Sequence, residues 1–290
     1  MSLDLKRLTD ACARVAAPTY EPGQEGSFRP FRRDEHIYYT HKIKSALSGK
    51  ETTTLEDVFR LFAYPDPDGL VTAAYVMREY LPQNLAPTSH DSLKVEASEI
   101  KVYPGDLVVN GDIENGGIVL VLGKLTVSGT YWDLDVGCQI VVLGETWIKR
   151  ANIYGGARIA NNLAIEQILW GIDHSNSIYV SGVVKSPLVA MDDKVLRSTA
   201  AEIKVFVGDE NQLESGQCDI EVSTTDAEEL ADLFVDELLL PTEDSEVQDD
   251  EEEEREEYED EDEDIGHDCG LDIDKVFEFL EMGQEIWKKD

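Results

Sequence analysis

Residues 107 to 130 read LVVNGDIENGGIVLVLGKLTVSGT, with Gly111, Gly117, Gly123 and Gly129 falling six residues apart. Cut into sixes, the stretch becomes LVVNGD, IENGGI, VLVLGK and LTVSGT. An aliphatic residue leads every hexad (Leu107, Ile113, Val119, Leu125) and glycine stands fifth in each; Val109, Val121 and Val127 take the third place in three of the four. Three alternating residues make a very short strand whose first and third side chains point the same way. Glycine then lets the chain turn, because a bend or a positive φ is cheap without a Cβ. Strand and corner repeated every six residues coil into a triangular parallel β-solenoid, about 18 residues per rung and about 4.8 Å between rungs. The competing reading is a meander of hairpins, whose spacing is usually longer and less regular.

The rhythm loosens after TYWDLDVG, where Gly137 and Gly144 follow at eight and seven residues. Insertions at corners are tolerated in solenoids, and β-rich bursts ended by Gly or Asn carry the pattern to about residue 190, roughly five rungs. AAEIKVFVGDENQ and CDIEVS read as final strands, so the solenoid region is taken as 94–224. Ahead of it, 1–93 reads as a helical unit. Leu5, Leu8, Cys12 and Val15 share one helical face, and Thr54 caps a second helix carrying Leu55, Val58, Phe59 and Phe62. The turn YPDPDG introduces a third helix, LVTAAYVMREYL, which stops before Pro82. Between the first two, GSFRPFRRDEHIYYTHKIK mixes Phe28, Arg29, Phe31, Arg32, Arg33, Tyr38 and Tyr39. It reads as a loop with solvated or locally paired arginines, with nucleic acid, an acidic peptide or the chain's own acidic tail as further occupants. Beyond the solenoid, 225–242 is expected to be a capping helix with a capping box at Thr225 and Glu228, covering unpaired strand edges. Residues 243–270 form an acidic linker expected to be disordered, and 271–290 an amphipathic helix that docks on its own chain or on a partner.

Charge is distributed unevenly. Residues 201 to 290 hold 5 Lys/Arg against 36 Asp/Glu, and the run 249–264, DDEEEEREEYEDEDED, is acidic at every position but Arg255 and Tyr258. A basic nucleic-acid footprint is absent, and an anionic membrane would repel this end, so neither is expected as a partner. Cys12, Cys138, Cys218 and Cys269 are widely spaced without a CxxC pair, and the opening MSLDLKRLTDACARVAAP has no signal-peptide core. A reduced, cytoplasmic compartment is the expectation.

Chemistry is sparse. A metal-dependent solenoid enzyme needs several histidines near neighbouring rungs, yet between 94 and 200 only His174 is found, in the polar run GIDHSNS. His174 could serve an acyltransferase as general base, but reads better as a loop histidine. The HDC at 267–269 lacks partner ligands at a diagnostic spacing, and Asp66 and Asp68 fit a proline turn better than a calcium loop. No catalytic residue, metal site or cofactor is assigned.

At 105–129, GDLVVNGDIENGGIVLVLGKLTVSG resembles the bactofilins, bacterial polymer-forming cytoskeletal proteins with a triangular parallel β-helix core of this rhythm. The resemblance covers about a third of the chain and implies end-to-end stacking into filaments through apolar terminal rungs. Folded flanks at both ends would obstruct such stacking, which points to a monomer or small oligomer. The expectation is a non-catalytic module binding a basic protein partner, in the manner of an acidic inhibitor or a toxin-neutralising immunity protein. The alternatives are a bactofilin-like scaffold and a hexapeptide-repeat acyltransferase. Apolar anchors are expected at the solenoid rim (Tyr131, Trp132) and on the terminal helix (Phe277, Leu280, Trp287).

Overall fold

A computed structural model describes residues 3–17, 33–48, 50, 53–62, 66–82, 85–172, 176–224, 226–239 and 271–288. The expected parallel β-solenoid is present and makes about seven turns. Its strands are β1 Thr88–His90, β2 Leu93–Val95, β3 Ile100–Tyr103, β4 Leu107–Val109, β5 Ile113–Asn115 and β6 Ile118–Val121, then β7 Leu125–Asp133, β8 Gln139–Val142, β9 Thr146–Ile153 and β10 Gly156–Ile159. β11 Leu163–Ile172, β12 Ile178–Asp192, β13 Leu196–Val207 and β14 Leu213–Thr224 complete it.

The strands of neighbouring rungs pair in parallel, with register shifts inside the long strands, as between Val127 and Thr130 of β7. Leu107 pairs with Leu125 on the next rung, and Leu125 with Thr146 on the one after. The first face stacks β1, β4 and the opening halves of β7, β9 and β11. The second stacks β2, β5 and the closing halves of β7, β9 and β11. The third stacks β3, β6, β8, β10 and the start of β12. Hexad-leading Leu107, Ile113, Val119 and Leu125 are buried in one core with Val109, Val121 and Val127.

The hexad glycines turn the corner for a reason other than dihedral freedom. Among the described residues, glycine takes positive φ at Gly208 and Gly283 and at none of the hexad positions. What these glycines provide is close approach: a Cβ on Gly117 would lie 2.4 Å from the Glu99 carbonyl oxygen, and one on Gly144 2.5 Å from that of Gly123, both on the preceding rung. The same corner is laced by backbone bonds, Gly144 N–H to Gly123 O at 2.9 Å among them. Side-chain oxygens fill gaps in the ladder, Asp106 accepting from the Lys124 N–H at 2.8 Å and Asp112 from the Thr130 N–H at 2.6 Å.

Four helices precede the solenoid: α1 Leu5–Val15, α2 Arg33–Leu47, α3 Leu55–Arg60 and α4 Pro67–Tyr80. α1 and α3 follow the expected faces, and the Thr54 cap closes a capping box with Asp57. Asp66 caps α4, its Oδ1 accepting from the Gly69 N–H, with Pro67 in the first turn, which accounts for the PDPDG motif. The stretch read as a loop is helical from Arg33 onward, and Phe28, Arg29, Phe31 and Arg32 lie outside the described residues. Within α2, Tyr39 packs edge-on against Phe62, and buried His36 meets the Thr72 hydroxyl at 2.9 Å.

These helices pack on the outer side of the third face. Leu8, Phe59, Leu70 and Met77 share a core with Leu120 and Val141, whose side chains point away from the solenoid interior. This explains why GGIVLVLG and CQIVVLG are apolar at consecutive positions: strands covered on both sides cannot alternate. The N-terminal helices are therefore integral to the solenoid unit, and Arg158, buried on the same face, reaches Asp68 of α4 at 3.5 Å.

The C-terminal residues form a second compact unit, Thr224–Asp290. In it α5 Ala227–Leu233 is capped by Asp226, whose Oδ1 accepts from the Glu229 N–H; Thr225 lies outside the described residues. The terminal helix α6 Ile273–Glu281 buries Ile273, Val276, Phe277 and Leu280. Trp287 stacks on Phe234 with ring centroids 4.9 Å apart, and Leu239 bridges Leu271. The amphipathic segment thus docks within its own chain. The acidic linker 243–270 lies outside the described residues.

If rung contact is what demands glycine, alanine should be costly at some glycines and harmless at others. Gly144→Ala places a methyl against backbone and is expected to lose about 2–3 kcal/mol. At Gly137 the nearest atom to a new Cβ is Asp135 Oδ1 at 3.8 Å, so alanine there should change stability by less than about 0.5 kcal/mol. Urea unfolding of the two variants beside the parent measures the contrast.

Candidate functional site

One hexad departs from its pattern. IENGGI carries Asn115 where the others carry valine, and its side chain points into the solenoid at the corner between the second and third faces. Polar residues from neighbouring rungs gather there. Asn115 Nδ2 donates to the Tyr131 hydroxyl at 2.8 Å and to Asp133 Oδ1 at 2.9 Å, and Tyr131 donates to the same carboxylate oxygen at 2.6 Å. The Gly155 N–H donates to Asp133 Oδ2 at 3.0 Å, and Cys138 Sγ to the Asn115 carbonyl at 2.9 Å. Further along the corner, Lys194 is fully buried with its Nζ donating to the carbonyls of Tyr154, Gly155 and Asn176 at 2.9–3.0 Å.

Burial governs the electrostatics of this node. It pushes the Asp133 carboxyl up to about 6, although the hydrogen bonds from Tyr131, Asn115 and Gly155 and the Lys194 charge all pull the other way. It pushes the Cys138 thiol up to about 11, with the Asp133 charge acting in the same direction, and holds the Tyr131 hydroxyl well above its ordinary range. A thiol so raised is a poor nucleophile, and the side chains of the node are buried beyond the reach of a substrate. Its role is to satisfy polar groups inside the corner. Among the described residues, no group of three or more His, Cys, Asp or Glu could hold a metal ion.

Directly outside the node the chain bulges. The corner segment between β7 and β8 exposes Leu134 at 55% and Val136 at 38%, large values for aliphatic side chains. Trp132 lies beside them, facing outward in the row Glu114, Trp132, Asn152 and half-buried. Asp135 and Glu114 are exposed around these apolar groups.

The first face is the other open surface. Its outward row runs Val108, Thr126, Trp147, Ala164, Lys185, Glu202. Beside Trp147, the short side chains of Thr126 and Ala164 leave a hollow of about 340 Å³.

The expected anchors take different places. Tyr131 is wholly inside the solenoid and offers nothing to a partner, because the period-2 alternation that turns Trp132 out turns its neighbour in. Trp132 is on the outer surface. Phe277 and Leu280 are buried in the C-terminal unit, and Trp287 is engaged with Phe234, so none of the three stands free for an outside partner. His174 and the HDC at 267–269 lie outside the described residues. Leu134 and Val136 were missed by sequence reasoning, though the lengthened spacing at Gly137 marked the insertion that carries them. Comparison with protein-family models, curated proteins and solved structures returned no match. Among the described residues no helix is long and apolar enough to cross a membrane.

Asp133 and His36 make opposed contributions to the pH dependence of stability. Asp133 ionises near 6 when folded against 3.8 as the ordinary value, so its contribution is complete below about 3.8 and is lost as pH rises to about 6. His36, pushed by burial from 6.5 to about 4, contributes fully above 6.5, and that contribution is lost as pH falls through 4. Asp133→Asn removes the first effect alone. Relative to the parent, the variant should therefore gain about 2 kcal/mol between about pH 4 and pH 6. Parallel stability curves from urea titrations at those pH values would show that Asp133 is not the group responsible.

Proposed function

We propose that the chain is a non-catalytic protein-binding module for a basic partner, anchored through the corner at Trp132, Leu134 and Val136. The observation that carries the reading is the exposure of Leu134 and Val136 on a corner segment flanked by Asp135 and Glu114. Apolar side chains at the centre of an acidic rim are the arrangement that holds a cationic surface and fixes its register. The 36 acidic residues after residue 200 add a long-range field that speeds encounter with such a partner. An inhibitor or immunity-type protein, occupying the cationic cleft of an enzyme or toxin, fits both features.

The bactofilin-like scaffold is less well supported. End-to-end stacking needs apolar terminal rungs, yet the first rung places Thr88, His90 and Lys101 in the inward rows that Leu107, Val109 and Val119 occupy on the second. Lys101 turns its Nζ to the Lys94 carbonyl at 2.7 Å, and His90 stands edge-on to Tyr103 with ring centroids 5.8 Å apart. Inward-pointing polar groups at a sheet terminus discourage strand addition. This supports a monomer or small oligomer.

The test is capture of the partner from the native cell by the intact chain, followed by binding kinetics with the purified pair. Replacing Leu134→Asp and Val136→Asp together should weaken binding about tenfold or more, chiefly through faster dissociation. Association should slow as ionic strength rises, since exposed charges are screened over about 8 Å at physiological salt. Unchanged affinity in the double variant would move the interface elsewhere, and filaments of the intact chain in electron micrographs would favour the scaffold.

A further inference from the structure

The trough on the first face has a chemistry of its own. The hollow beside Trp147 spans rungs bearing Lys124, Glu145, Asn162 and Lys185, and Lys185 also lines a second hollow of about 420 Å³ with Ser186, Pro187, Ile203, Lys204, Asp219 and Glu221. The two hollows share Lys185 and follow one another along successive rungs.

Three properties narrow the occupant. First, the half-buried indole of Trp147 sits between the short side chains of Thr126 and Ala164, which leaves room beside it for a flat ring. Second, the rim has no surplus of cations: Lys124 pairs with Glu145 and Lys185 with Glu202 at 2.6 Å, while the second hollow sets Asp219 and Glu221 beside Lys204. A phosphate chain needs a surplus of cations, which this rim lacks. Third, the strands beneath are interior to the sheet and spend their backbone groups in the parallel ladder, so a peptide cannot bind by adding a strand. Recognition must come from side chains alone. Asn162 Oδ1 already accepts from the Val183 N–H, which orients its amide.

We propose that this trough binds a neutral linear saccharide, one ring stacked on Trp147 and its hydroxyls read by Asn162, Thr126 and the rim Lys–Glu pairs. A sugar ring presents C–H groups to an aromatic face and alternating donors and acceptors at its edge, matching an indole floor with amide, hydroxyl, ammonium and carboxylate walls. The proposal rests on the first face and is independent of the protein-binding corner.

Calorimetric titration of the full chain with a linear β-1,4-linked glucose tetramer tests it. Saturable binding should weaken about tenfold or more in Trp147→Ala and, with the indole kept, in Ala164→Leu, which fills the hollow. Trp132→Ala and the Leu134→Asp, Val136→Asp double variant should bind the tetramer as the parent does, which separates this site from the protein interface. Thermal melts confirm that each variant is folded. Absence of saturable binding by the folded parent overturns the proposal, as does binding that survives both groove variants or is displaced equally well by an extended neutral peptide.

Discussion

Successive rungs of this chain approach each other at their corners to a distance that leaves no room for a side chain, and the rest of the structure follows from that contact. A Cβ at Gly117 or Gly144 would overlap a carbonyl of the rung beneath. Because backbone meets backbone there, each rung is locked in register over the last, and inward positions form continuous columns. The column through Leu107, Leu125 and Thr146 and that through Ile113, Tyr131 and Ala151 are consequences of this register. So is the burial of Asn115 and Asp133 together, since they occupy the same inward position on neighbouring rungs.

In a locked solenoid the outer rows are what remains accessible. The third face is covered by the N-terminal helices, through Leu120 and Val141 below and Phe59, Leu70 and Met77 above. The first face keeps an open trough around Trp147, and an insertion between β7 and β8 lifts Leu134 and Val136 into solvent. Both proposed sites sit where the repeat is decorated without being broken. The buried Asp133 node supports the corner from which the apolar segment projects, Cys138 closing it against the Asn115 carbonyl.

The fold was legible because its cause is local and repeated. Aliphatic first and third places mark inward positions, and glycine in the fifth place marks closest approach; four hexads suffice to declare both. The sequence did not distinguish a dihedral need for glycine from a steric one, because that depends on the neighbouring rung. The docking of the helices was written in the unbroken apolar runs at Ile118–Leu122 and Ile140–Leu143, which alternation-based reading treats as ordinary strands. The interior placement of Tyr131 was available from parity: it lies one rung beyond inward Ile113, in the same column. The helix at Arg33–Leu47 was obscured by arginines and aromatics whose mixed pattern suggests a loop, and it is held by the burial of His36 and Ile43 rather than by a clean apolar stripe. Neither proposed site had a motif to announce it: the hollow beside Trp147 arises from residues on different rungs brought side by side, and the contiguous corner at 132–136 was marked only by the lengthened spacing at Gly137.

Cross-linking between neighbouring rungs tests the register directly. Glu114 and Trp132 stand opposite each other, pointing outward on the second face, in the parallel pairing of β5 with β7. With Glu114→Cys and Trp132→Cys in one chain, mild oxidation should close an intramolecular disulfide, identified by mass spectrometry of the joined peptides, with the folded far-ultraviolet spectrum retained. A hairpin turning at Gly116–Gly117 would set these positions far apart, since Glu114 stands next to that turn and Trp132 fifteen residues beyond it. Failure of the pair to close in the folded protein, with closure instead by a pair placed symmetrically about a turn at Gly116–Gly117, would contradict the solenoid register.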